Sequence, residues 1–372
     1  MEWHRDDQFC SYNSWKCIFY EKWFRNIVDW YKTPDIQLLP PIEASIDAAP
    51  NGACNLRCKW CNAYKYLNKA PAISDKKFYE LHQFLLDWGV KAFCEGGLGE
   101  PTLRKNLGEV LLLIKKFNRQ SSIATNGTLF NDELMDIATS CCRWVGVSVD
   151  ASNAKTFEKT KGKNLFNKVI NNISKLAKLS RNKKSNCDIS YKFLVTPWNY
   201  KEIFEACKIA KSLGVRDFYA RVADLGHQGL GENKLREYNY AVEEIKDLFA
   251  KCHSLRDNNF RVFTSVHKFN DDLKPRKNFR QCWAMPLLIQ CCPDGNVYAC
   301  VDQRIQEFYR LGSFLPQPSN ILNFWGGEKH WNLTFKEGFK HCSCRCTFSF
   351  YCEVIEKLFI EEDKDRMCRW FT

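Results

Sequence analysis

Three cysteines stand within eight residues, Cys54-Asn55-Leu56-Arg57-Cys58-Lys59-Trp60-Cys61. Thiolates this close can converge on one metal centre, but three is one fewer than a structural zinc or an ordinary cubane takes from protein. An iron–sulfur cluster held this way leaves one iron open to a small molecule, which makes it a reactive centre and not only an electron carrier. Zinc and plain buried thiols are the competing readings; the nearest downstream histidine is His82, on an expected helix. A second field of cysteines follows late in the chain, at Cys282, Cys291, Cys292, Cys300, Cys342, Cys344, Cys346, Cys352 and Cys368. Such crowding suggests further cluster ligation, with a structural zinc as the alternative.

The elements that must position these residues are legible as a strand–helix alternation. Glu43 to Ala49 reads as a first strand, and the cysteine loop follows it. Ser74 is an N-cap for a helix through Phe78, Leu81, Phe84, Leu85 and Trp88, closed at Gly89. Further strands are expected at 90–95, 122–125, 144–149, 188–196 and 216–222, with helices at 107–117, 132–139, 165–179 and 200–213. Six such units imply a parallel sheet with right-handed crossovers, an α/β fold in the form of an open partial (β/α)6 barrel.

Ligands bind such sheets at the C-terminal ends of the strands. The unusual residues fall there. Glu95-Gly96-Gly97-Leu98-Gly99-Glu100 follows the second strand, Thr125-Asn126-Gly127 the third, and Ser148-Val149-Asp150 ends the fourth; Leu194 and Asn199 close the fifth and Arg221 the sixth. Each alone could be a turn or a satisfied polar residue.

The C-x3-C-x2-C spacing resembles the signature of the radical S-adenosylmethionine (SAM) enzymes. That resemblance implies a [4Fe–4S] cluster on Cys54, Cys58 and Cys61, whose open iron chelates SAM and whose electron cleaves it to a 5'-deoxyadenosyl radical. It also implies a SAM site formed by Gly97, Gly99 and Glu100 for the amino group, Ser148 and Asp150 for the ribose, and Arg221 for the carboxylate, with Asn126 and Leu194 beside them. The glycine motif departs from the family's by the inserted Leu98.

The order Cys282-x12-Gly295-x4-Cys300, then Cys342-x-Cys344-x-Cys346-x5-Cys352 and Cys368, resembles the SPASM extension of the same family. One or two auxiliary [4Fe–4S] clusters are implied, with a twitch extension as the smaller version. Glu356 stands where a further cysteine is usual, and Cys291 or Cys292 could substitute. Pro293-Asp294-Gly295-Asn296 is a hairpin signal that would bring Cys282 and Cys300 together. Asp302 resembles in placement a catalytic acid of sulfatase-maturating relatives and could take the second proton of an oxidation.

The 372 residues are 45% hydrophobic and 26% charged, with twenty cysteines and a net charge of +12. Met1 to Asp7 holds no apolar signal region, and no stretch is long enough to span a membrane, so a reducing cytoplasm is expected. Much of the positive charge lies in Lys159, Lys161, Lys163, Lys168, Lys175, Lys178, Arg181, Lys183 and Lys184. No aromatic residues interleave with it, so a solvated helix face is expected and nucleic acid is disfavoured. Residues 13–31 read as an amphipathic helix (Trp15, Phe19, Trp23, Ile27, Trp30) docked on the main domain.

Four segments follow: 1–42, helix and linker; 43–225, the core; 226–275, a bridge; and 276–372, a small cysteine-rich α+β domain. The expected function is hydrogen abstraction from a C–H bond, modifying a peptide or protein side chain. A sugar or aminocyclitol dehydrogenase is the alternative within the family, and an iron–sulfur RNA-binding or redox-sensing protein the alternative outside it. The partners are a peptide or small polar substrate and a reductant such as flavodoxin or ferredoxin.

Overall fold

The computed structural model describes residues 19–69, 73–224, 240–265, 271–275, 277–342 and 345–360. The alternation builds β1 (Glu43–Asp47), β2 (Ala92–Gly96), β3 (Gln120–Thr125), β4 (Cys142–Ser148), β5 (Asp188–Val195) and β6 (Asp217–Val222). Adjacent strands in this series pair in parallel. A seventh parallel strand, β7 (Arg261–Ser265), joins β6 and extends the sheet beyond the six expected. The order is continuous and open, so the parallel strands form a partial barrel.

After α1 (Glu21–Lys32), the connecting helices begin with α2 (Asp75–Trp88) and α3 (Leu107–Lys116). They continue with α4 (Asp132–Cys141), α5 (Ala154–Lys161), α6 (Phe166–Asn182), α7 (Ile203–Ser212) and α8 (Val242–His253). The ends of α2 lie where its capping residues put them. Ser74 Oγ accepts from Lys77 N, and Gly89 takes the left-handed conformation at φ 107°. Helix α5 is absent from the sequence expectation because its eight residues offer one large buried hydrophobe, Phe157.

The C-terminal residues do not form a separate sheet. β8 (Leu288–Cys291) pairs in parallel with β1, Glu43 opposite Leu288 and Ile46 opposite Cys291. β9 (Asn296–Tyr298) and β10 (Arg310–Ser313) then continue the sheet in antiparallel fashion. The expected hairpin is present, its turn carried by Gly295 at φ 81°. A ten-stranded sheet thus carries both cysteine fields. Two short helices follow, α9 (Glu328–Asn332) and α10 (Ser349–Ile355).

Helix α1 buries Phe24, Ile27, Val28 and Trp30. Its docking partner is the C-terminal segment: Trp30 Nε1 donates to Gly326 O (3.2 Å), and Trp331 Nε1 to Trp30 O (3.1 Å). Phe19 is exposed, contrary to the expected stripe, and residues 13–18 lie outside the described residues. Among the described residues, no helix is long and apolar enough to cross a membrane.

Candidate active site

The cysteine loop leaves the C-terminal end of β1 and rests on the end of α5. Arg57 N donates to Lys161 O and Lys59 N to Thr160 O, both at 3.0 Å. The last carbonyls of a helix lack acceptor duties within it, so α5 offers the loop a ready-made seat. On the other side, Asn126 Nδ2 donates to Asn55 Oδ1 and Asn55 Nδ2 to Thr128 Oγ1, each at 2.8 Å. Asn126 therefore braces the loop between β3 and the cysteines. Its amide also points towards Cys54 Sγ, at 4.0 Å.

Cys54, Cys58 and Cys61 are half-buried free thiols. Burial pushes all three up, Cys58 to about 12, while the Lys161 ammonium opposes the rise at each. They also act on one another: Cys58 feels both other thiols. Among the described residues, no three His, Cys, Asp or Glu side chains converge as on a single ion. Mutually interacting thiols suit the corners of a cluster, and their raised pKa values mean that metal must displace the protons.

The glycine loop after β2 closes over the same place. A Cβ on Gly97 would lie 1.6 Å from Asp47 Oδ1, and one on Gly99 would lie 2.4 Å from Ala53 O. Only bare backbone fits there. The inserted Leu98 is buried against Ala63 and Leu67, anchoring the loop. Glu100 joins this loop to the next strand. Its Oε1 accepts from Thr102 N (3.2 Å), Thr102 Oγ1 (2.6 Å) and Thr125 Oγ1 (2.5 Å), and its Oε2 from Asn126 N (2.7 Å). The carboxylate thus ties β2 to β3, and Oε2 keeps a lone pair for one further donor.

Asp150 is likewise engaged. It accepts from Lys161 Nζ (2.5 Å) and Leu194 N (2.6 Å), and its own carbonyl accepts from Asn199 Nδ2 (2.9 Å). A ribose diol would have to compete with a buried ion pair. Ser148, half-buried at the end of β4, gives only its carbonyl to Lys161, at 2.9 Å. Lys161 is the residue the sequence reading misassigned: of the basic run it alone is buried, and its ammonium joins β4 to the cysteine loop. Beside it Trp60 stacks on Trp198, ring centroids 6.1 Å apart, with Leu194 packed against the pair. Arg221 projects from β6, half-buried, facing Arg345 of the C-terminal segment.

The second cysteine field forms one pocket. Cys282, Cys300, Cys342 and Cys346 line one cavity together with Asp302 and Gln303. Cys352, buried beside them, accepts from Ala284 N (3.4 Å), and burial with the neighbouring Cys282 and Cys346 thiols pushes it well up. Burial pushes Cys300 well up, aided by Asp302 and the three neighbouring thiols. Four thiols on one cavity match the donor set of a cubane. Cys344 and Cys368 lie outside the described residues.

Three side chains near this field are already engaged. Glu356 accepts from Arg280 N (3.0 Å) and Trp283 Nε1 (3.3 Å), so it anchors backbone where a ligand might stand. Cys292 donates to Asp47 Oδ2 (3.2 Å) and does not line the cavity, nor does Cys291. Asp302 accepts from Thr347 N (2.7 Å) and lies 3.6 Å from Arg345, a brace at the cavity edge more than a free base.

One ion pair joins the two cysteine fields. Arg304 donates to Asp47 Oδ1 (2.9 Å) against Gly97, and its neighbour Gln303 donates to Cys342 Sγ (3.6 Å). Sequence reasoning missed it, although Asp47 ends β1 on the ligand side of the sheet.

Comparison with known proteins agrees with this geometry. Residues 50–193 match the family model "Radical SAM superfamily". A probable GTP 3',8-cyclase of Saccharolobus islandicus (strain M.14.25 / Kamchatka #1) is 25% identical over 211 residues, covering 56% of this chain and 66% of that protein. The GTP 3',8-cyclase of Aliarcobacter butzleri is 25% identical over 196 residues, 49% of this chain and 58% of that one. The chain thus spans less than two-thirds of either relative's length.

Among solved structures, Streptococcus suis SuiB bound to precursor peptide SuiA superposes with a TM-score of 0.63 at 16% identity. It covers 93% of this chain and 79% of that one. The structure of anSMEcpe with bound AdoMet gives 0.58 at 19% identity, over 84% and 88%. At such identities these two likenesses speak to the fold, and the family match speaks to the cysteine loop. The chain carries, over residues 50–193, a domain of the radical SAM superfamily.

Proposed function

We propose that this chain is an enzyme that binds SAM at a [4Fe–4S] cluster on Cys54, Cys58 and Cys61 and oxidises a peptide or protein side chain at a C–H bond. The observation that carries the reading is the three-thiol loop, seated on α5 at the ligand edge of the sheet and inside the matched domain. When bound, the cluster and SAM together supply a 5'-deoxyadenosyl radical. The chain's own residues do the rest: Lys161 offsets thiolate charge, Gly97 and Gly99 let backbone approach the ligand, and Glu100 and Asn126 fix the loops. The half-buried hydroxyl of Ser148 faces the same edge.

Cys282, Cys300, Cys342 and Cys346, with Cys352 adjoining, would hold an auxiliary cluster able to accept the substrate electron; Cys344 and Cys368 are candidates for a second. A flavodoxin or ferredoxin would supply the first electron. Such oxygen-labile centres suit a reducing cytoplasm.

The peptide substrate is supported by the fold shared with SuiB in complex with its precursor peptide. A second reading, a small polar substrate, is favoured by the relatives named as GTP 3',8-cyclases. Iron, sulfide and zinc analysis of anaerobically prepared protein tests the assignment of clusters. One auxiliary cluster gives about eight irons per chain and two give about twelve. Zinc with no more than about four irons would remove the auxiliary cluster from the account.

A further inference from the structure

Positive charge gathers where the sheet meets the C-terminal segment. Arg221 lies on β6 in register with Leu194 of β5 and Ser265 of β7. Among the described residues it has no hydrogen-bond or ion-pair partner. Arg345 faces it: its backbone N–H donates to Asp224 Oδ2 (2.8 Å), just past the end of β6, and its guanidinium lies 3.6 Å from Asp302. Beneath them, on the same face of β5, stands Lys192, its Nζ 4.2 Å from the Trp144 ring centre. Gly146 makes room for that lysine, since a Cβ there would lie 2.2 Å from Lys192 Cε.

The anions nearby are already committed. Asp150 pairs with Lys161 at 2.5 Å, Asp217 with Arg261 at 2.6 Å, and Asp302 holds Thr347 N as well as Arg345. Both guanidiniums are half-buried and repel each other, and a planar or tetrahedral anion between them would turn that repulsion into charge-assisted hydrogen bonds. The titration of these groups agrees. The field of Arg345, with burial, lowers Arg221 to about 10, and burial lowers Lys192 to about 8, with Arg221 acting in the same direction.

We propose that Arg221 and Arg345 bind a carboxylate or phosphate group of the substrate where the end of β6 meets the C-terminal segment. This rests on the radical SAM reading above and narrows its substrate to one that carries an anionic group. Arg345 lies 3.6 Å from Asp302, which lines the cysteine cavity, so the anion would tether the substrate between the two cluster sites. A carboxylate could also come from SAM itself, and the test must separate the two sources.

The experiment is anaerobic titration calorimetry on reconstituted, SAM-saturated holoenzyme with inorganic phosphate as the probe, and a separate titration with SAM. The expected result is saturable phosphate binding that Arg221→Gln and Arg345→Gln each weaken by about tenfold or more. Arg221→Lys should recover part of that loss, which separates charge from misfolding, and SAM affinity should stay within about threefold in all three variants. Absent phosphate binding, or binding that the variants leave unchanged, would overturn the proposal. A SAM affinity that falls with Arg221→Gln as steeply as phosphate affinity would assign the arginine to SAM and overturn it too. Wild-type holoenzyme that binds phosphate but no SAM would instead bring down the reading on which the proposal rests.

Discussion

Burying Lys161 and Asp150 together takes two charges out of water, and the pair holds because each faces the other at 2.5 Å while backbone groups satisfy the rest. Replacing Lys161 by Met leaves Asp150 buried and unpaired, which costs about 3–5 kcal/mol in such cases. Chemical denaturation should show a loss of that order, and Lys159→Met, on the exposed face, should show almost none. Lys192 gives a second prediction, with a sign. Its folded pKa of about 8 lies below the ordinary 10.5, so between those values the unfolded chain binds more protons and stability rises with pH. The stability of wild type relative to Lys192→Met should climb across that window; a flat difference would show that burial does not lower its titration.

At this scale the cysteine motif could be read from spacing alone, because a metal site needs its donors close in sequence or space. Lys161 could not: in a run of lysines nothing marks the one that turns inward. Glu100, Asp150 and Asn126 were located at the correct strand ends, but their hydrogen-bond partners depend on tertiary contacts that spacing does not encode.

Helix α1 clasps the C-terminal segment through Trp30, whose ring is 5.1 Å from Phe335 and 5.2 Å from His330. Truncating a buried tryptophan costs about 3–5 kcal/mol. Trp30→Ala should therefore lower the unfolding midpoint, and increased protease cleavage within residues 320–340 should accompany it. Unchanged cleavage would show that the clasp does not hold that segment. Most elements were legible because each carries its own signals: caps at Ser74 and Gly89 for α2, apolar runs for the strands. The pairing of β8 with β1 was not, because a parallel partner more than two hundred residues away leaves no local mark in either strand.

For the whole molecule, that pairing matters most. It lays the C-terminal cysteine cavity and the Cys54–Cys61 loop on a common sheet, with Asp47–Arg304 between them and Arg221 and Arg345 alongside. Under the proposed function, a substrate held there would meet a radical at one side and an electron acceptor at the other. All sixteen described cysteines are free thiols.

The central claim is that Cys54, Cys58 and Cys61 hold the cluster that cleaves SAM. Its most direct measurement is 5'-deoxyadenosine formed from SAM by the anaerobically reconstituted, dithionite-reduced protein. Wild type should form it, and the variant with all three cysteines changed to Ala should form none and lose about four irons per chain. Wild type that carries its iron yet forms no 5'-deoxyadenosine, or a triple variant that still forms it, would contradict the account.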